Sequence, residues 1–359
     1  MQWLPAILIL PYFILLIRIY TGLLKISRSD ISGEPKTFIS VVVACRNEEK
    51  NILSLLNDLE QQNYSTNLFE VIIVDDCSND NTADIVSSFH GVKDIRIISN
   101  TGNGKKQALR TGINASKGGL ILTTDADCRM TRNWIRTIAG FYEKYRSDMI
   151  IPPVMTVPGN GFFGRFQELE FLSLQGITSG TAMIGEPVMC NGANLAFRKE
   201  SYLRHSGNLH DEINSGDDIF LLHSLKKEKQ QPILWLESPE ATVETLPALT
   251  FGSFFKQRSR WISKSNSYQD RNTIVLGVVT FLAVVLQAGT LFLSLINPSF
   301  LPVFITIFIL KSIPDYLILK NSTWRYLRKS LMKWFLPSQL IYPFYVISVV
   351  IYSLISRAK

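Results

Sequence analysis

Cysteine and histidine are scarce in this sequence, with four of each among 359 residues. The cysteines are widely separated, and no two of them form a Cys-X-X-Cys pair; they are Cys45, Cys77, Cys128 and Cys190. The histidines form no His-Glu-X-X-His array, so neither residue type has the spacing of a zinc site. We therefore expect no zinc, and reduced thiols that act as small packing residues in a cytosolic domain.

A complete phosphate-binding glycine loop is also missing. Gly102-X-Gly104 stands between a predicted strand and a predicted helix, but Gln107 occupies the third glycine position and the loop does not follow the first strand. Gly104-Lys105 is followed by Lys106 instead of serine or threonine, which excludes a P-loop. A dinucleotide-linked oxidoreductase is therefore only a minor alternative.

Acidic residues are absent from the loop between the last two apolar runs. That loop carries a cluster of basic residues, namely Lys320, Arg325, Arg328, Lys329 and Lys333. The formal net charge of +7 has a nucleic-acid interpretation, but this position is typical of cytoplasmic loops that flank a membrane. We expect a membrane as a partner and no nucleic acid.

Long hydrophobic runs are present at both ends of the chain and predict four membrane-spanning segments. They are Trp3–Leu24, Thr273–Ile296, Leu301–Leu319 and Trp334–Ile355. The third is weakened by Lys311, Pro314 and Asp315. Lys311 and Asp315 are one helical turn apart and can pair; alternatively the segment is tilted or partly interfacial.

The predicted domains follow these runs. Residues 1–25 form an N-terminal transmembrane helix, 36–270 a cytoplasmic domain, and 273–357 a membrane region with about three helices. Positive charge lies only on the C-terminal side of the first run, which places the N-terminus outside and the following domain inside. We expect a multi-pass protein of the cell (inner) membrane.

Strands alternate with helices in the first half of the predicted cytoplasmic domain, about residues 36–155. The strands are Phe38–Ala44, Val71–Val74, Ile95–Ser99, Leu120–Thr123 and Met149–Val154, and the main helices are Asn47–Gln62, Lys105–Ala115 and Met130–Tyr145. Near-continuous apolar strands with intervening helices predict an α/β fold with a mostly parallel sheet covered on both faces. This half is of the nucleotide-binding kind.

The alternation lapses in the second half, about residues 156–270. Phe162–Ile177 is aromatic-rich and amphipathic, and it either packs on the sheet or lies at the membrane surface. Asn191–Arg198 is a glycine turn that leads into a strand. Thr250–Lys264 is basic and aromatic and precedes an apolar run, so we interpret it as an interfacial helix.

Asp125 and Asp127 directly follow the strand Leu120–Thr123. Ligands of open α/β sheets bind beyond the carboxyl ends of the strands, and paired carboxylates there suit Mg²⁺ or Mn²⁺ held against a diphosphate. A polar turn with a helix-capping aspartate is the structural alternative.

Two further acidic pairs follow the same logic. Asp75-Asp76 ends the second strand, where a carboxylate can accept hydrogen bonds from a nucleobase or ribose; taken alone it is more typical of a turn. Asp217-Asp218 begins a helix, where the helix dipole favours acidic residues. An exposed carboxylate at this position can also act as a general base.

A basic and aromatic motif lies further along the chain, at Gln257-X-X-Arg260-Trp261. Arginine can clamp a phosphate in bidentate fashion, and the apolar face of a sugar stacks on an indole ring. The alternative is a helix that uses arginine and tryptophan as membrane anchors.

Taken in order, these segments resemble the membrane-embedded inverting branch of the family 2 glycosyltransferases, which includes hyaluronan, cellulose and chitin synthases and ceramide glucosyltransferase. The resemblance runs from Phe38 to about Lys264 through VVVACRNEE, VIIVDDCSNDNT, GKKQALRTG, TTDADC, NGANLAFR, SGDDIFLL and QRSRW. It implies a GT-A-like fold and a UDP-sugar donor.

The resemblance also implies a role for each candidate residue. Asp76, beside Asp75, would contact the base of UDP, Asp125 the ribose and diphosphate, and Asp127 the metal, while Lys105 lies in the segment that lines the donor pocket. Asp218 matches the catalytic base, with Asp217 where many members carry glutamate. Gln257, Arg260 and Trp261 match the signature that holds the diphosphate and borders the acceptor.

The implied reaction is a single displacement with inversion, in which Asp218 deprotonates an acceptor hydroxyl and the metal and Arg260 stabilise the departing UDP. Four predicted spans are few for a polymer channel. We therefore expect transfer of one or a few sugars to a lipid or membrane-associated glycan, with processive polysaccharide synthesis as the main alternative. An inert membrane scaffold is a further alternative.

Overall fold

The computed structural model describes residues 3–29, 33–210, 213 and 215–357. The chain forms two compact units. The sheet unit comprises Ser27–Val157 and Met189–Leu246, and the helical unit comprises Met1–Ile26, Pro158–Val188 and Pro247–Lys359. Each unit therefore contains segments that are distant in the sequence.

The sheet unit contains two sheets. Its strands are β1 (Ile39–Cys45), β2 (Phe69–Asp75), β3 (Ile95–Ser99), β4 (Leu120–Thr124), β5 (Arg129–Met130), β6 (Met149–Ile151), β7 (Val154–Thr156), β8 (Asn194–Arg198), β9 (Ile233–Trp235) and β10 (Val243–Thr245). The larger sheet has seven strands in the order β3-β2-β1-β4-β8-β6-β9, and the smaller has the order β5-β10-β7.

The strand order of the larger sheet reverses beside β1. Strands β3, β2, β1 and β4 are parallel, and β8 runs antiparallel to β4 and β6. The chain moves outward from β1 to β3 and then returns to place β4 on the other side of β1. A topological switch point of this kind creates a crevice at the carboxyl ends of the strands. The prediction of a mostly parallel α/β fold is confirmed.

The helices complete both units. Those of the sheet unit are α3 (Ile52–Glu60), α4 (Thr82–Ser87), α5 (Lys105–Ala115), α6 (Trp134–Tyr145), α8 (Lys199–His205) and α9 (Asp217–Glu228). Those of the helical unit are α1 (Leu4–Leu8), α2 (Leu10–Leu23), α7 (Gly161–Met183), α10 (Phe251–Ser263), α11 (Arg271–Ile296), α12 (Leu301–Arg325) and α13 (Phe335–Arg357). Val41, Val42 and Val43 of β1 are all fully buried, as expected of a strand covered on both faces.

Three sequence-based boundaries are wrong, each for an identifiable reason. The helix predicted at Met130–Tyr145 begins at Trp134, because Met130 pairs with Val243 in the smaller sheet. The predicted strand Met149–Val154 is two strands in different sheets. Pro152 and Pro153, which have no backbone N–H to donate, end β6 and separate it from β7. The predicted helix does not begin at Asn47 but at Ile52. Asn47 has φ +57° and donates its backbone N–H to the Ser78 side chain, 3.0 Å away, so a distant loop replaces the first helical turn.

The helical unit buries the segment for which the sequence left two alternatives. Helix α7, which includes Phe162–Ile177, packs against α2 and α12. Close approach depends on glycine, because a Cβ at Gly176 would lie 2.6 Å from the Ile318 side chain and one at Gly180 would lie 2.7 Å from the Ile19 carbonyl oxygen. From the sequence we expected this segment either to pack on the sheet or to lie at the membrane surface. The contact with other helices was not predicted.

Four stretches among the described residues are long and apolar enough to cross a membrane: Leu4–Leu23, Arg271–Ile296, Pro298–Arg325 and Lys329–Ile355. The third contains the predicted ion pair, because Lys311 Nζ lies 2.8 Å from Asp315 Oδ2. Lys311 is fully buried and also donates to Gln339 Oε1 at 3.1 Å. Pro314 lies within α12 without ending it.

Candidate active site

Asp76 connects the end of β2 to the beginning of α5. Its Oδ1 accepts a hydrogen bond from Asn100 Nδ2 at 2.6 Å and another from the backbone N–H of Gly104 at 3.0 Å. Gly104 has φ +86°, which favours glycine, and it immediately precedes α5. Asp75, the last residue of β2, accepts from the backbone N–H of Ser78 at 3.3 Å. Both carboxylates thus organise the loops at the carboxyl edge of the sheet.

Lys105, the first residue of α5, lies among carboxylates from two other elements. Its Nζ forms an ion pair with Asp125, which follows β4. Burial tends to lower the pKa of Lys105, but the negative charges of Asp125, Asp217 and Asp218 outweigh it and raise the pKa. The Lys105 side chain is still 46% exposed, so it lies at an accessible position. Residues separated by more than ninety positions in the sequence therefore share one electrostatic environment.

Asp127 is half-buried, as is Asp125. Burial and the neighbouring charge of Asp125 raise its pKa, whereas Lys105 opposes this shift. Its Oδ2 accepts from the Thr245 hydroxyl at 3.4 Å. Asp125 and Asp127 are the arrangement predicted from the sequence, two carboxylates directly after β4.

Asp217 and Asp218 form the first turn of α9, which follows Gly216 at φ +97°. Asp218 Oδ2 accepts a hydrogen bond from the backbone N–H of Gly192 at 3.0 Å. The carbonyl oxygen of Gly192 in turn accepts from the Thr123 hydroxyl of β4 at 2.9 Å. The strand that leads into Asp125 and Asp127 is thus linked through the backbone of a single residue, Gly192, to the carboxylate of Asp218.

Several residues of this region were not identified as functional from the sequence. Gly192 acts through its backbone, and Thr123 through a hydroxyl in an apolar strand, so neither leaves a charge signal. Glu48 was assigned to a helix start, yet burial and the charges of Asp127 and Asp125 raise its pKa. The NGAN turn was the one available signal for Gly192.

Gln257, Arg260 and Trp261 lie on α10 in the helical unit. Arg260 is exposed, whereas the intervening Arg258 is buried. Arg258 donates to Gln257 Oε1, and its Cζ lies 4.2 Å from the centre of the Trp261 ring. The sequence had grouped Arg258 with the basic residues of an interfacial helix, and its burial is a second finding that the sequence did not reveal.

The side chains at this edge fit a metal site that is completed by substrate phosphates better than a site made of protein ligands alone. Within the part of the chain that the structure describes, no group of three or more His, Cys, Asp or Glu side chains is placed to hold a metal ion. Magnesium is commonly held by one or two carboxylates together with substrate phosphates and water. Asp125 and Asp127 match that donor set.

All four cysteines are free, consistent with reduced thiols.

Comparison with solved structures identifies the fold. The chain superimposes on the mannosyltransferase PcManGT from Pyrobaculum calidifontis, solved in complex with GDP-Man and Mn²⁺, with a TM-score of 0.60. The match covers 99% of both chains at 18% sequence identity, so it supports a common fold.

Comparison with curated sequences identifies relatives. The chain is 27% identical over 255 residues to the poly-beta-1,6-N-acetyl-D-glucosamine synthase of Staphylococcus epidermidis, covering 67% of this chain and 56% of that protein. It is 29% identical over 124 residues to the poly(ribitol-phosphate) beta-N-acetylglucosaminyltransferase TarS of Staphylococcus aureus, covering 34% of this chain and 22% of that protein. The chain therefore matches about half, or less, of the length of these relatives.

A family model describes the region that carries the acidic pairs after β2 and β4. Residues 40–206 match glycosyl transferase family 2. This match supports the transferase interpretation over the dinucleotide-linked alternative, and the resemblance inferred from the sequence is confirmed. Residues 40–206 of the chain therefore resemble a family 2 glycosyltransferase domain.

Proposed function

We propose that this protein is an inverting, membrane-bound glycosyltransferase that moves a sugar from a UDP-sugar to a lipid or membrane-associated glycan. The observation that carries the proposal is the ion pair between Lys105 and Asp125, which lies within the electrostatic influence of Asp217 and Asp218. A cation surrounded by carboxylates beside a nucleotide-type crevice suits a substrate that brings its own negative charge and a divalent cation.

The donor side of the proposed site uses the carboxyl edge of the sheet. Asp76, supported by Asp75, binds the nucleobase, and Asp125 lies against the ribose and diphosphate. Lys105 exchanges its pairing with Asp125 for the diphosphate when the donor binds. Asp127 holds Mg²⁺ or Mn²⁺, which when bound supplies Lewis-acid stabilisation of the leaving diphosphate. The related fold of PcManGT was solved with Mn²⁺, which supports a divalent cation without choosing between the two.

The acceptor side supplies the base. Asp218 accepts the proton of the acceptor hydroxyl, the hydroxyl oxygen forms a bond to the anomeric carbon, and the bond to the diphosphate breaks with its electron pair leaving on UDP. The Gly192 N–H, 3.0 Å from Asp218 Oδ2, orients this carboxylate. Asp217 adds negative charge beside it. Gln257 and Arg260 bind the diphosphate, and the acceptor sugar stacks on Trp261.

The membrane assignment is part of the proposal. Four helical stretches have the length and apolarity of spans, and the basic segment 320–333 lies where the last two meet. We propose a multi-pass protein of the cell membrane with its catalytic domain in the cytoplasm. The polymer synthase among the relatives keeps processive synthesis open as the second candidate.

The decisive experiment compares product formation by wild type and Asp218→Asn. Membranes containing each protein are incubated with labelled UDP-GlcNAc, UDP-glucose or GDP-mannose, and lipid and polymer products are resolved by length. Removing a general base should lower the transfer rate by about 10²–10⁴-fold. Metal-dependent UDP binding, measured by calorimetry, should survive. The matched control is Asp84→Asn, an exposed carboxylate on α4.

Each outcome bears on a separate part of the proposal. Near-normal turnover by Asp218→Asn would remove the base assignment. Turnover of GDP-mannose alone would replace the UDP donor, and long labelled chains would favour processive synthesis over transfer of one or a few sugars.

A further inference from the structure

Arg258, which the Gln257-X-X-Arg260-Trp261 motif leaves unassigned, makes the most enclosed ionic contact of α10. Its side chain is 7% exposed and forms a two-pronged pair with Glu170 of α7, whose side chain is 8% exposed. Arg258 Nε donates to Glu170 Oε1 at 2.9 Å and Nη2 donates to Oε2 at 2.5 Å. This fork-to-fork geometry fixes the plane of the guanidinium group.

The fixed plane lies between two aromatic rings on the same side of α10. Arg258 Cζ is 4.2 Å from the centre of the Trp261 ring and 4.6 Å from the centre of the Phe254 ring. These positions are three residues after and four residues before Arg258, so all three side chains share one helix face. The indole of Trp261 therefore rests on a cation that a neighbouring helix holds in place.

A third helix strengthens the anchor. Tyr345 of α13 donates its hydroxyl to Glu170 Oε1 at 3.1 Å, and its ring stacks on Phe254 at 5.3 Å between centres. Glu170 thus receives hydrogen bonds from α10 and α13 at once. Helices α7, α10 and α13 meet at a single carboxylate within the helical unit.

An ion pair is a costly way to join buried helices. Desolvation of both charges offsets much of their attraction, and well-packed apolar residues of similar volume often stabilise a fold equally well. The pair does supply what apolar packing lacks, a defined orientation of a flat group. That property matters if a ring on the guanidinium must be oriented. Of the two rings beside it, Phe254 is buried, whereas Trp261 is half-buried and so remains accessible.

We propose that Arg258 is a positioning residue, and that with Glu170 as its anchor it fixes the indole of Trp261 in the orientation that receives an acceptor sugar. The acceptor part rests on the proposed function. The orientation of the indole does not, so the two can fail separately.

The first test measures the indole itself and needs no substrate. Acrylamide quenching of Trp261 is obtained as the difference between each full-length protein in detergent and its Trp261→Phe counterpart. Arg258→Lys keeps the charge but loses the planar fork, and Glu170→Gln keeps the shape but loses the charge. We expect both to raise the quenching constant of Trp261 by about twofold or more.

The matched control is Arg165→Lys on α7. Arg165 pairs with Glu168 at 3.2 Å, so the control alters another Arg–Glu pair that lies entirely within α7 and includes no residue of α10. It should leave the quenching unchanged. Tyr345→Phe removes one hydrogen bond to Glu170 and keeps the ring, so it should produce a smaller shift in the same direction and serves if Arg258→Lys does not fold.

The second test separates positioning from general damage. With the labelled donor that wild type uses and a total lipid extract of the expression host as acceptor, Arg258→Lys should raise the half-saturating amount of extract by about tenfold. The donor KM should rise by a clearly smaller factor, which reflects the lost hydrogen bond from Arg258 to Gln257. The Glu170→Gln/Arg258→Lys double variant should be no worse than the poorer single variant, because both act on one unit.

The results that overturn the proposal are equally defined. Unchanged Trp261 quenching in both single variants, or in Tyr345→Phe where only that variant folds, shows that the ion pair does not hold the indole. Raised quenching with equal effects on donor and acceptor constants shows that the indole is held for a purpose other than acceptor binding. Absence of transfer by wild type removes the proposed function and leaves the quenching result standing.

Discussion

Glu143 shows how one carboxylate can fix where a sheet begins. It lies on α6, and its Oε1 accepts from the backbone N–H groups of Lys36 and Thr37 at 2.7 and 2.8 Å and from the Thr37 hydroxyl at 2.8 Å. These donors lie just before β1, the central parallel strand beside the switch point. Burial tends to raise the pKa of Glu143, but the hydrogen bonds from Thr37 and Lys36 outweigh it and lower the pKa below its usual 4.5.

The lowered pKa predicts how Glu143→Gln affects stability across pH. A group whose pKa is lower in the folded state stabilises the fold above its unfolded pKa and loses that contribution as pH falls through the folded value. We expect Glu143→Gln to lower the free energy of unfolding by about 1 kcal/mol at pH 7. The difference should shrink steadily below about pH 4.5.

Thermal unfolding of the full chain in detergent, followed between pH 3 and 7, measures this effect. Glu34→Gln, at an exposed glutamate before β1, is the control and should change little at any pH. A destabilisation by Glu143→Gln that is the same at pH 3 and pH 7 would contradict the electrostatic explanation.

At the residue scale, the charged groups could be predicted from the sequence, but the contacts that hold them in position could not. Asp76, Asp125, Asp127 and Asp218 were identifiable because each follows a strand or begins a helix. Gly192 could not be, since its contribution to Asp218 is a backbone N–H that any residue possesses. The burial of Arg258 could not be predicted because its helix is basic. An arginine in such a helix cannot be distinguished from its exposed neighbours until its partner on a distant helix is known.

At the scale of elements, α5 is positioned by a glycine that faces the sheet. A Cβ at Gly112 would lie 2.5 Å from Val42 Cγ1 of β1 and 2.8 Å from Val74 Cγ2 of β2. Both valines are fully buried, so neither can move aside cheaply. Since α5 begins at Lys105, this contact also sets the position of the cation in the candidate site.

The close contact predicts that Gly112→Ala impairs donor binding. Alanine should favour the helix by about 1 kcal/mol, whereas overpacking costs about 1–3 kcal/mol, and the short distances to rigid valines favour the second effect. We expect a net loss of about 1 kcal/mol in the free energy of unfolding. We also expect weaker metal-dependent UDP binding, because α5 must shift away from the sheet.

Gly119→Ala is the matched control, because a Cβ at Gly119 has no neighbour within 4 Å. Calorimetry and thermal unfolding of both variants check the prediction. Gly112→Ala with unchanged UDP affinity would show that the position of α5 does not govern the donor site.

Elements were predictable from sequence where local pattern and long-range contact agree. The apolar runs of β1, β2 and β4 are buried on both faces, so their hydrophobicity alone identified them. The start of α3 failed because the backbone N–H groups of Asn47 and Glu48 bond to Ser78 and Thr82, which lie beyond the next strand. No local signal reports a partner more than thirty residues away.

At the scale of the whole molecule, charge and apolarity predict which regions share a side of the membrane. Positive charge follows the first span and fills segment 320–333, so both are expected in the cytoplasm with the sheet unit. The turn Pro298–Phe300, between α11 and α12, is then expected on the outside. The chain's own cysteines provide a test of this arrangement.

Cys77 is exposed, whereas burial raises the pKa of Cys45 and of Cys128 to about 12 and so suppresses their thiolates. In a Cys190→Ser background, a membrane-impermeant maleimide should label Cys77 in inside-out vesicles and fail to label it in right-side-out vesicles.

Ser299→Cys, combined with Cys77→Ser and Cys190→Ser, reports on the opposite side, because Ser299 is exposed in the turn between α11 and α12. It should be labelled in right-side-out vesicles and protected in inside-out ones. Labelling of Cys77 from outside would place the catalytic domain away from the cytosolic nucleotide-sugar pool. Labelling of both positions from one side would mean that α11 does not cross the bilayer, since only one span separates the sheet unit from that turn.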